Sequence, residues 1–196
     1  MATNKSELSN LMKEKSIKIC CLIVFSFFLL NCHDNTAKER VLFDFESPSE
    51  LDQLEWNCHT MYYISGEHPS HGSKSLKLEL YPSDKQDYPG LTPVIRENNW
   101  SDFKALSFDI YNPEGNNISV TLRIDDRKDY PEYNERYNKR FIFGPGMNNI
   151  RVPLNTLVTS GTGRILNLRK IYRLLIFMAN PERNIVLYVD YIRLIR

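Results

Sequence analysis

The sequence predicts an all-β domain, an antiparallel two-sheet β-sandwich of jelly-roll type. Three observations predict it: apolar and polar residues alternate through eight short segments, turn signals separate those segments, and no long stretch repeats with the 3.6-residue period of a helix.

The chain opens differently. Residues 12–18 (MKEKSIK) are basic, and residues 19–30 (ICCLIVFSFFLL) form an uncharged apolar run. A membrane-spanning helix needs about 20 apolar residues, so this run fits the core of a secretory signal instead. Met12 offers an alternative start. Leu29-Leu30-Asn31-Cys32 resembles a bacterial lipobox, whose cysteine is lipidated and becomes the new N-terminus; Asn31 departs from the usual Gly, Ala or Ser. A plain cleaved signal and an uncleaved anchor are the alternatives. On the lipoprotein reading, residues 1–32 are a signal segment with Cys32 as the lipidation site, 33–40 a tether and 41–196 the folded domain. The protein is then exported and held by its lipid anchor on a membrane of the bacterial cell envelope, in the periplasm or at the cell surface. Cys20 and Cys21 fall in the apolar run, which leaves Cys58 without an internal disulfide partner; it reads as a packed thiol.

Along the domain, VLFDFES (41–47) sets Val41, Phe43 and Phe45 against Leu42, Asp44 and Glu46. SLKLELY (75–81) turns its leucines inward. ALSFDIYN (105–112) separates Leu106, Phe108 and Ile110 from Ser107, Asp109 and Tyr111. NISVTLRID (117–125) separates Ile118, Val120, Leu122 and Ile124 from Ser119, Thr121, Arg123 and Asp125. Residues 140–143, 149–154, 172–178 and 184–195 complete the strand set. SPSELDQLEW (47–56) suits one helical turn capped by Ser47 or Ser49. Turns are expected at 69–72, 88–90 and 112–115, and Gly144-Pro145-Gly146 reads as a hairpin turn.

Charge narrows the function. The chain has 25 basic and 24 acidic side chains; its first 32 residues hold four lysines and two glutamates, leaving 21 basic and 22 acidic, a net of −1. A near-neutral domain has no overall field to draw in nucleic acid, which argues against that partner. The sequence has no G-x-S-x-G elbow and no H-E-x-x-H zinc motif.

The informative stretch is LRIDDRKDYPEYNERYNKRF (122–141). Arg123 and Asp125 share the outward face of a strand, and Asp109 and Tyr111 are expected beside them on a neighbouring strand. Asp126 begins a loop in which Tyr133, Arg136, Tyr137, Asn138 and Arg140 recur at short spacing. Guanidinium forks and carboxylates take hydroxyl groups in pairs, and aromatic faces pack on sugar C–H surfaces. These residues therefore make a candidate carbohydrate site, on which Arg123→Ala is expected to abolish glycan binding with little change in melting temperature. The same charges also read as a salt-bridge network pinning a loop. Asp125 and Asp126 are sequence neighbours and point to opposite faces of a strand, so they are no glycosidase pair.

Four segments together resemble the family 11 carbohydrate-binding modules, a galactose-binding-like jelly roll. They are FDFES followed by Trp56, HGSKSLKLEL, NNWSDFKALSFDIYNPEG and LYVDYIRL, where Tyr191 replaces the usual second acid. RIDD followed by a Tyr/Arg/Asn run resembles a bacterial subset of such domains. The resemblance covers residues 41–195. It implies a two-sheet sandwich, a sugar-facing concave sheet and a structural Ca2+. The positions matching that ion's ligands are Glu46, the carbonyls from Gly72 to Lys74, and Asp190, with Asp44 as an alternate. The reading that results is a non-catalytic carbohydrate-binding domain of an envelope lipoprotein, with an oligo- or polysaccharide as partner. The alternatives are an assembly domain that docks an envelope protein, and a polysaccharide-active enzyme.

Overall fold

The computed structural model describes residues 38–85 and 87–196. Cys32, the signal segment and most of the tether lie outside the described residues.

Ten strands form among the described residues: β1 (Glu39–Phe43), β2 (Thr60–Ser65), β3 (Ser75–Leu80), β4 (Gly90–Leu91), β5 (Ala105–Asn112), β6 (Ile118–Asp125), β7 (Tyr137–Phe143), β8 (Gly146–Pro153), β9 (Arg173–Phe177) and β10 (Ile185–Ile195). One sheet runs β2-β3-β10-β5-β8, with β1 also on β10, and the other runs β4-β9-β6-β7. All pairings are antiparallel. The chain is a two-sheet β-sandwich jelly roll. Its first strand begins at Glu39, two residues before the expected start.

The alternation explains the layers. Leu106, Phe108 and Ile110 of β5 face Val120, Leu122 and Ile124 of β6 across the sandwich, and all six are buried. Strand β10 is the spine of the larger sheet. Its first half pairs with β3 (Val189↔Leu76) and its end with β1 (Leu194↔Arg40), while β5 runs along its other edge. Trp100 is fully buried, and its indole N–H donates to the Glu97 carbonyl at 2.8 Å, so the one polar atom of a large core side chain is satisfied. Residues Pro48–Gln53 form a 3-10 turn, with the Ser47 hydroxyl accepting from the Ser49 N–H.

Two connections differ from expectation. Gly144-Pro145-Gly146 is not a hairpin turn: β7 and β8 belong to different sheets, so the turn carries the chain across the sandwich. The Asn112–Gly115 turn does the same between β5 and β6. Asparagines stitch both crossings. Asn148 donates to the carbonyls of Gly144 and Gly146 at 2.9 Å each, and Asn112 to those of Asn116 and Phe143 at 3.0 and 3.2 Å. Strands β2 and β4 have no counterpart in the alternation pattern.

Short β4 depends on Gly90. A Cβ there would stand 2.3 Å from the Ile176 carbonyl oxygen and 2.5 Å from the Phe177 Cα, both backbone atoms. Gly90→Ala is expected to push β4 off β9 and lower stability by about 1–3 kcal/mol, the usual cost of overpacking. Urea denaturation of the variant checks this.

Candidate functional site

The outer face of the four-stranded sheet carries a cleft of about 360 Å³. Its floor follows from strand register. Thr121 and Arg123 point outward from β6, opposite Arg140 and Asn138 of β7 and beside Phe177 and Leu175 of β9. Tyr133 and Arg136 stand at one side, Asn57 and Tyr88 at the other. The Tyr88 ring meets Phe177 edge-on at 5.5 Å, and the Arg136 guanidinium lies over the Tyr133 ring at 5.7 Å. Tyr133 is 57 % exposed, so its ring is available to a ligand. Asn57 donates to the Gly90 carbonyl at 2.8 Å and fixes the β4 rim.

A buried carboxylate holds the floor. Asp125 has no solvent exposure. It accepts from Arg123 Nε and Nη2 at 2.8 and 2.6 Å and from Arg173 Nη1 at 2.7 Å. The Tyr130 ring covers the Arg173 guanidinium at 4.0 Å. The next residue turns away into the loop. Asp126 accepts from Arg164 at 2.5 and 2.8 Å and from the Asn167 N–H at 2.7 Å. Burial pushes the Asp126 carboxyl up, but these donors outweigh it and hold it below the usual carboxylate range. Burial, then the neighbouring Arg123 charge, pull the Arg136 guanidinium down, and its Nε is buried with no hydrogen-bond partner.

Of the sequence-predicted residues, Arg123, Tyr133, Arg136, Asn138 and Arg140 meet in this cleft. The others do not. Asp125 lies beneath the surface, consumed by its two arginines, and Asp126 clamps the 158–167 segment. Tyr137 points into the core opposite Ile124, where burial pushes its phenol up to about 12. Asp109 and Tyr111 belong to β5 in the other sheet and face the opposite side of the sandwich, so the expected juxtaposition with Arg123 is corrected. Sequence reasoning missed Tyr88, Leu175 and Phe177. The continuous apolar run of RLLIF hides which side chains face outward, and nothing in sequence paired β9 with β6.

That opposite face is roofed by residues 66–74. Ser70 donates its hydroxyl to Asp109 at 2.9 Å, and the Ser70 and His71 N–H groups donate to Asp190 at 2.7 and 2.9 Å. His68 stacks on Tyr111 and His71 on Tyr191, at 3.7 and 4.0 Å. Glu46 accepts from the Ser73 and Lys74 N–H groups at 2.7 Å each and from the Ser73 hydroxyl at 2.8 Å; these donors hold its carboxyl below its ordinary value. Asp44 accepts from the Glu46 N–H at 3.3 Å. Calcium needs six to eight oxygens aimed at one centre. Here Glu46 and Asp190 are aimed at N–H donors, and Lys74 brings its ammonium to the Glu46 carbonyl at 3.2 Å. As arranged, this set does not fit a calcium ion. Among the described residues no group of three or more His, Cys, Asp or Glu is placed to hold a metal.

Two predictions follow from the carboxylates. Arg123→Ala, expected from sequence to spare stability, removes two of the three donors to buried Asp125; it should cost about 3 kcal/mol, the order seen when one partner of a buried pair is lost, visible in a denaturant melt. Arg164→Ala should cost about 1–3 kcal/mol at neutral pH by leaving Asp126 under-satisfied. Because the folded Asp126 carboxyl lies below its unfolded value near 3.9, its contribution is complete above about pH 4 and fades as pH falls through the folded value. The gap between parent and Arg164→Ala should therefore narrow below about pH 4 in a pH series of melts.

The description "carbohydrate binding domain (family 11)" belongs to a family that matches residues 31–160. No curated protein matches the chain. Among solved structures, the chain is similar to the family 11 carbohydrate-binding module from Clostridium thermocellum in complex with a beta-1,3-1,4-mixed-linked tetrasaccharide. That likeness has 17 % identity and a TM-score of 0.57 over 80 % of this chain and 95 % of that one. The solution structure of CtCBM11 gives 17 % identity and 0.61 over 82 % and 96 %. An exo-beta-agarase gives 20 % identity and 0.62, with 79 % of this chain covering 24 % of the enzyme. At these identities the structural likenesses show the fold. The family match, spanning most of the chain, shows the membership: this chain belongs to the family 11 carbohydrate-binding domains.

Proposed function

We propose that the domain binds a polysaccharide chain, without cleaving it, in the cleft on the outer face of the four-stranded sheet. The observation that carries this is the cleft itself: an open hollow floored by β-strands, with the exposed Tyr133 ring at its side and guanidinium and amide groups along its floor. Rigid strands hold the polar groups at fixed spacing, and the aromatic ring offers a face for sugar C–H groups. A second hollow of about 370 Å³ continues it, sharing Thr121, Arg140 and Ala179 and reaching Asn117 and Ser119. A groove open along its length suits an internal stretch of a long glycan. Binding without cleavage is supported by the lining: the first hollow includes no aspartate or glutamate and the second adds the single acid Glu182, whereas glycoside hydrolysis needs two carboxyl groups about 5–9 Å apart across the bond. On this proposal the segment before residue 39 exports the domain and, through Cys32, anchors it in the cell envelope; mass spectrometry of the protein from its native membrane reads the lipid on Cys32 directly.

A glycan array on the purified protein tests the binding. Specific binding is expected, and Tyr133→Ala should weaken it roughly fivefold to tenfold, equivalent to about 1–1.4 kcal/mol of lost aromatic contact. Since Tyr133 is exposed, its melting temperature should stay within about 2 °C of the parent. A clean array together with a reproducible protein partner would move the cleft to a docking role.

A further inference from the structure

We infer that the glycan this cleft takes is anionic, a polysaccharide carrying carboxylate or sulfate groups at repeated positions along its chain. The inference rests on the carbohydrate-binding reading above and names the class of glycan.

The cleft lining includes Arg123, Arg136 and Arg140 and no acidic residue; the hollow that continues it adds Arg183, which is paired with Glu114, and one acid, Glu182. Arg123 shares the single Asp125 carboxylate with Arg173, so this triad already carries one positive charge in excess. Among the described residues, Arg136 and Arg140 make no ion pair. Arg136 stands beside like-charged Arg123, with Asp125 and Glu132 acting on it only from a distance, and its Nε is buried with no hydrogen-bond partner. Arginine has five N–H donors and no acceptor, so the lining is rich in donors and lacks anionic acceptors. A neutral sugar brings hydroxyls that both give and take protons, and leaves the repulsion among these guanidinium groups in place. Anionic oxygens remove the repulsion and supply forked acceptors.

The charge is local. Residues 33–196 hold 21 basic and 22 acidic side chains, so a generally basic surface does not account for it. The backbone at Arg136 is extended and runs straight into β7, which places Arg136 and Arg140 roughly 13 Å apart at about 3.3 Å per residue. That is more than one sugar ring, so two anionic groups on one chain are engaged together.

The test measures binding of the full protein to polygalacturonate, a sulfated galactan, neutral mixed-linked β-glucan and agarose by affinity electrophoresis and calorimetry, at low and high salt. At least one polyanion should bind about tenfold or more tighter than either neutral polymer and lose affinity as salt rises. The uronate and sulfate arms decide which anion is preferred. Arg140→Gln, at an exposed strand position, should weaken that binding about tenfold with an unchanged melt. Arg136→Gln should do the same. Arg151→Gln, on β8 of the other sheet, should not. Equal, salt-independent affinity for neutral β-glucan would overturn the anionic assignment and leave the carbohydrate reading intact. An equal loss in Arg151→Gln would reduce the effect to diffuse attraction and overturn it as well. No binding to any polymer would overturn both readings.

Discussion

One buried carboxylate organises the face that matters. Asp125 ends β6 with no solvent exposure, and an unpaired charge there would be prohibitive. Two arginines satisfy it, one from its own strand and one from β9, through three short hydrogen bonds. The Asp125 carbonyl takes the Tyr172 N–H at 2.9 Å, so the same residue also ties the backbone leading into β9. Asp126 then turns the other way and clamps Arg164 and the Asn167 N–H. Two successive acids thereby fix the floor of the cleft and the segment that backs its wall.

The two outer faces of the sandwich met different fates for a physical reason. On the larger sheet, Asp109 and Asp190 sit opposite each other on β5 and β10, where two acids side by side need donors. Burial raises the Asp190 carboxyl, against the pull of the His71 and Ser70 donors, so the pair is held by a roof of backbone N–H groups and hydroxyls from residues 66–74. Histidine–tyrosine stacks seal that roof. The larger sheet offers its two acids one arginine, Arg193, at 3.4 Å from Asp109, and the roof supplies further donors; on the smaller sheet the single Asp125 meets two arginines of its own sheet.

This contrast explains what was legible in the sequence. Alternation tells which side of a strand is buried, and it placed Arg123 and Thr121 outward correctly. It does not tell to which sheet a strand belongs. The Asn112–Gly115 and Gly144–Gly146 turns have the composition of hairpin turns, yet both bridge the two sheets, and that moved Asp109 and Tyr111 to the far side. Strand β2 (TMYYIS) has large side chains on both faces and so shows no period, and β4 is two residues long. Tyr133, Arg136 and Asn138 were legible because local spacing carries them. Phe177 and Tyr88 were not, because only the β9–β6 and β4–β9 pairings bring them to Arg123.

Family membership and ligand choice are written in different residues. The core alternation that makes the jelly roll is constrained by packing, and a likeness near 17–20 % identity can keep it while outward side chains vary. The cleft is made of outward side chains, so its chemistry belongs to this chain. Asp125 permits that chemistry: by pairing with Arg123 and Arg173, it leaves Arg136 and Arg140 as the guanidinium groups of the cleft without an ion pair. A near-neutral domain can then present a positive groove on this face, and on the proposal above a chain with spaced negative charges is the partner that such a groove discriminates.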